Sequence, residues 1–185
     1  MTNFINSTYT HISRVAIVFA LTVLFIQCKK DSPEEINEEE VINRVTLTVT
    51  AADGSSNDYT WNEGDTVPTI TLAANTTSNV SIHFYDASDA SDVEDITEEV
   101  IEEADEHFVY YQVSSASLSI SAASNDVQDA AGISINLKTE WAAAAASSGT
   151  VRVYLIHEPT SKTGGSRGEL GGSTDLELDF PVSIQ

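Results

Sequence analysis

The 185-residue chain carries 29 acidic against 8 basic side chains, a formal net charge of −21 at pH 7. That balance argues against nucleic acid as a partner, because phosphate contacts need Lys and Arg; it favours cations, cationic ligands or a basic protein surface. A single cysteine, Cys28, leaves no internal disulfide and no thiol pair, so the core alone must stabilise the fold.

In chain order, the opening element is a leader. An apolar run over residues 15–26 follows Arg14 and stops just before Cys28, after which Lys29-Lys30-Asp31-Ser32-Pro33-Glu34-Glu35 is abruptly polar. A run of about a dozen apolar residues is too short for a spanning helix, which needs roughly 20. It suits the apolar region of an export signal. Ending at the sole cysteine, residues 1–27 read as a lipoprotein signal peptide, with Cys28 as the lipid attachment site. Phe25-Ile26-Gln27 departs from the usual lipobox, where a small residue precedes the cysteine. The acidic chain would be repelled by anionic headgroups, so attachment depends on the acyl chains. The expected location is the outer membrane, lipid-anchored, at the cell surface or the periplasmic face. Residues 28–40 form an acidic tether, rich in Glu and poor in apolar side chains.

From Val41 the pattern changes to period two, and residues 41–185 read as one β-sandwich domain. Val45, Leu47 and Val49 alternate with Thr46, Thr48 and Thr50, as in a half-buried strand. Asp53-Gly54-Ser55-Ser56 supplies turn chemistry before a short returning strand at Tyr59-Thr60-Trp61. Strands are expected over residues 69–72 and 80–85, with Val80, Ile82 and Phe84 sharing one face. Asp95-Ile96-Thr97-Glu98 matches a capping box, and helical spacing follows, so one short acidic helix is expected over residues 96–106. Further strands are expected over residues 107–114, 117–122, 133–141, 150–157 and 175–184. The run at residues 142–146 is expected to be a loop or single turn, and residues 159–173 a Gly-rich, mobile strand connection. In the last strand Pro181 falls at an outward position, which points to an edge or a bulge. Eight or nine short strands with regular turn signals imply an all-β, antiparallel β-sandwich.

Several blocks are informative together: Glu34-Glu35-Ile36-Asn37-Glu38-Glu39-Glu40-Val41-Ile42, Glu94-Asp95-Ile96-Thr97-Glu98-Glu99, Glu103-Ala104-Asp105-Glu106-His107, Ser148-Gly149-Thr150-Val151-Arg152-Val153, His157-Glu158-Pro159 and Thr174-Asp175-Leu176-Glu177. In this order they resemble blocks of small flavobacterial (Bacteroidetes) envelope lipoproteins, often labelled "type 1 periplasmic binding fold superfamily protein". The charged residues after Cys28 also resemble the acidic export tag of surface-displayed Bacteroidetes lipoproteins. The label denotes two α/β lobes, which the strand pattern here does not follow. What the resemblance implies is an envelope lipoprotein working beside a TonB-dependent outer-membrane transporter.

Candidate chemistry centres on two histidines. His107 follows Asp105-Glu106, and His157 closes a strand before Glu158. Imidazole with carboxylate suits zinc, copper or another divalent transition metal. If the last two strands form a hairpin, His157 sits near Thr174 and Asp175. The candidate ligands are therefore His107, Glu106, His157, Glu158 and Asp175. No HxH, HExxH or CxxC spacing is present, so the same histidines also fit packed or polar side chains. His83 lies opposite the apolar face of its strand and reads as solvated. Asp86, Asp89, Asp92, Glu94 and Asp95 lack the register of an EF-hand and read as a solvated loop. With no recognisable nucleophile–base spacing, the chain is expected to be non-enzymatic. The leading expectation is accessory capture of a ligand, with a divalent transition metal as the candidate. A protein-interaction module is the alternative, and a hydrolase of envelope polymers the weakest class.

Overall fold

The computed structural model describes residues 40–185. The signal segment, Cys28 and the tether through residue 39 lie outside the described residues. Among the described residues no helix is long and apolar enough to cross a membrane.

Among the described residues, ten strands form two sheets. The larger sheet is ordered β2-β1-β4-β8-β7, with the two-residue β5 attached to β4. Its strands are β1 (Arg44–Thr50), β2 (Ser56–Asn62), β4 (Thr76–Asp86), β5 (Glu94–Asp95), β7 (Leu118–Ala122) and β8 (Lys138–Ala143). The smaller sheet is ordered β3-β10-β9-β6, from β3 (Ile70–Leu72), β6 (His107–Ser114), β9 (Ser147–His157) and β10 (Ser173–Ile184). All pairings are antiparallel except β3 with β10, which is parallel. The expected all-β sandwich is therefore present, with β5 as an extra short strand where the sequence suggested only a loop.

Alternation explains the core. On β1, Val45, Leu47 and Val49 are buried while the threonines between them are half-exposed. Phe84, Trp141, Val153, Leu155 and Phe180 are buried in the same cluster. Trp141 satisfies its indole N–H on Thr139 Oγ1 at 2.9 Å, so its polar atom costs little inside the sandwich. Gly149 sits where a Cβ would collide with the Ser114 carbonyl oxygen and the Ala116 backbone nitrogen, so the close approach of β9 to the end of β6 requires glycine.

Several expectations are corrected. The strand expected at residues 133–141 begins at Lys138 and runs on to Ala143. Ile135 and Leu137 are buried, but they belong to a loop in which Asn136 adopts φ 66°. Ala142 and Ala143, expected in a loop or turn, end β8 instead. Ala143 pairs with both Thr76 and Leu118, and the small side chain fits a strand flanked on both sides, overriding its helix propensity. The Gly-rich connection is pinned rather than open. It holds a short helix, α2 (Arg167–Leu170), whose Leu170 is fully buried against Phe108, Tyr154 and Ile156. Since α2 follows α1 (Ile96–Glu102), there are two helices among the described residues where one was expected, and α1 ends earlier than residue 106.

Pro181 is exposed and directly precedes the three residues of β10 that pair with β3, so no partner on that side asks for its missing N–H. The bulge of β10 lies elsewhere, between Thr174 and Leu176.

Candidate functional site

The site begins with a helix end. Asp95 caps α1 by accepting the Thr97 N–H at 3.0 Å. Beyond α1 the Glu103 carbonyl accepts the N–H groups of Glu106 (2.8 Å) and His107 (3.1 Å). This tight turn delivers Glu106 and His107 directly to the start of β6. The antiparallel register then sets His107 opposite His157, and the two rings stack with centroids 5.1 Å apart and planes 18° from parallel. His107 shares the inward face of Val109 and His157 that of Leu155, so the pair closes one end of the core.

The other donors arrive by two local devices. Glu158 donates its N–H to the Glu106 carbonyl at 2.6 Å and takes a left-handed backbone, φ 48°, at the end of β9. Gly172 (φ 68°) passes so close that a Cβ would meet the carbonyl oxygens of His157 and Glu158. On β10, Ser173 pairs with His157 and Leu176 with Leu155, so the bulge adds one residue between them. A bulge turns side chains that would otherwise alternate, and it is here that Asp175 joins the histidine end of the sheet. The residue paired with His157 is Ser173, and Asp175 groups with His107.

All five expected residues meet at this end, but they divide between two groups, within each of which the ligand atoms lie within 4.8 Å of one another. Glu106, His157 and Glu158 form a solvent-facing triad, with His157 Nε2 3.7 Å from Glu106 Oε2. His107 and Asp175 group instead with Glu40. Glu40, read from the sequence as the end of the tether, lies against the domain with a side chain only 9% exposed and its Oε1 3.3 Å from His107 Nε2. Sequence reading missed it because it is one of five glutamates among residues 34–40. The available signal was its place directly before the first apolar residues of the domain.

The electrostatics are anionic. Burial alone would lower the His107 pKa, but the Glu40 hydrogen bond and charge, the Glu103 carbonyl and the Asp175 charge outweigh it, and the pKa is raised. The Glu99 carboxyl is also raised, first by burial and then by the carboxylates of Glu40, Glu103 and Glu94. A local field of this sign attracts cations.

The remaining candidates serve as framework. Asp86 and Asp89 use side-chain oxygens to accept the N–H groups of Ser88 and Ser91, shaping turns, and Asp95 caps α1. None of the donor groups found among the described residues draws on this loop. His83 is 42% exposed beside Asp95 and stacks near Tyr85.

No protein-family model matches the chain, and no curated protein or solved structure matches it either. The resemblance to flavobacterial lipoproteins therefore rests on the sequence blocks alone, and function must be argued from the site.

Proposed function

We propose that this protein is a non-enzymatic, lipid-anchored envelope protein whose sandwich captures a divalent transition metal, zinc or copper, at the β6–β9 end. In this reading it works beside a TonB-dependent transporter of the outer membrane. The observation that carries it is the β6–β9 register, which brings two histidines distant in sequence face to face and gathers Glu106, Glu158 and Asp175 around them. Glu106, His157 and Glu158 are the capturing ligands, because their burial leaves them open to solvent. One imidazole nitrogen and carboxylate oxygens suit zinc or copper(II), whereas calcium prefers an all-oxygen shell.

The test is thermal unfolding of the protein with chelator, and then with zinc, copper, calcium or magnesium. An ion bound only by the folded form adds about 2.7 kcal/mol at 100 times its dissociation constant, or roughly 5–10 °C for a chain of this size. The expected shift is confined to zinc or copper and is reduced in His157→Ala. No shift with any ion would sink metal capture and leave a protein-interaction role for the sandwich.

A further inference from the structure

The interior group differs from the solvent-facing triad in one respect that points to a ligand. Glu40 has a side chain about nine-tenths buried, and its Oε2 is buried with no hydrogen-bond donor among the described residues. A carboxylate oxygen withdrawn from water without a partner is costly, and such an atom calls for a group that satisfies it. His107 is oriented for the same purpose. Its Nδ1 lies 3.3 Å from the Glu103 carbonyl oxygen, and in the tautomer that donates this bond Nε2 turns its lone pair toward Glu40. Metal-binding histidines are held in this way, by donation of the other ring N–H to a carbonyl. Two such lone pairs are joined by a cation, which is the Nε2 proton when His107 is charged and a metal ion when the ring is neutral. Their 3.3 Å separation also matches the spacing of two ligands on a tetrahedral zinc, given bonds of about 2.0–2.1 Å. Asp175, brought round by the β10 bulge, supplies a further carboxylate within reach.

We infer that Glu40, His107 and Asp175 form a second, interior site for a divalent first-row cation of the zinc type, distinct from the solvent-facing triad. The solvent-facing triad exchanges its ion freely, whereas the interior site retains one, because almost no solvent reaches His107. The inference goes beyond the capture reading and does not require it.

The experiment is to load the full-length protein in detergent with zinc, remove loosely held metal on a short chelating column, and count what remains by atomic emission. The wild type is expected to keep one zinc per chain. His157→Ala should also keep it, while the near-isosteric Glu40→Gln should retain less than a tenth as much. X-ray absorption of the retained zinc in the wild type should show a single imidazole nitrogen, a reading that does not depend on any variant folding. A wild type that retains no zinc overturns the interior site, as does Glu40→Gln retaining as much as wild type. Equal loss in His157→Ala and Glu40→Gln, or two imidazoles around the zinc, would mean one shared site and would overturn it too. The solvent-facing triad is scored separately, by a weaker zinc-dependent stabilisation that His157→Ala abolishes and Glu40→Gln leaves intact.

Discussion

Lys162 and Asp129 form an ion pair from which nearly all solvent is excluded: Nζ lies 3.0 Å from Oδ2, with side chains 6% and 7% exposed. The same ammonium donates to the Ala104 carbonyl at 2.6 Å. One side chain thereby joins the connection between β9 and β10 to the turn after α1 and to the loop before β8. Removing one member of such a pair strands the other, whereas removing both is milder. Lys162→Met should therefore lower the urea midpoint more than the double replacement Lys162→Met with Asp129→Asn. Equal losses would show that the pair is not coupled.

The acid limb of stability tests the same pair. The Asp129 carboxyl is held below its usual pKa, first by the Ile133 N–H and then by Lys162, against the opposing effect of burial. A depressed folded value means that its contribution is present above the unfolded pKa of about 3.9. The contribution is lost as pH falls through the folded value. Urea midpoints of wild type and Asp129→Asn should differ at pH 5 and converge as the pH drops toward 2.

For His107 the sign is opposite. Its raised pKa gives a contribution fully present below the unfolded value of about 6.5, and lost as pH rises through the folded one. With chelator present, the stability gap between wild type and His107→Gln should narrow from pH 6 toward pH 9. A gap that widens would show that the ring is held neutral.

Leu170 anchors the connection over residues 159–172 to the outer face of the smaller sheet. Leu170→Ala should cost about 2–4 kcal/mol, as buried leucine truncations do, and should expose Lys162 and Arg167 to trypsin. Arg167 resists release by donating to the carbonyls of Gly171, Gly172 and Ser173. Unchanged stability together with unchanged proteolysis would contradict the anchoring role.

Gly149→Ala places a methyl against backbone atoms of Ser114 and Ala116, which cannot rotate away. A loss of about 1–3 kcal/mol is expected, the range of overpacked sites. Urea denaturation measures it directly.

Most of the sandwich was legible because alternation and burial agree on β1, β4 and β10. Where they part, sequence reading failed. Ile133, Ile135 and Leu137 alternate as a strand would, yet Ile135 pairs its backbone with Val109 and Val127 across a loop. Burial alone produced that period. At the site, the two histidines and their adjacent glutamates were legible from residue type and from their position at strand ends. Asp175 was also named, though the bulge that places it leaves no mark in composition, and Glu40 was missed because a long-range contact singles it out from a run of like residues.

The parallel pairing of β3 with β10 has a consequence for how the chain assembles. Ile70 finds its partner only at Val182, and β10 lies between β3 and β9. A chain growing from its N-terminus therefore carries β3 without its partner until β10 emerges. The smaller sheet closes only after β10 has been made, and loss of residues 182–184 would leave β3 with no strand to join.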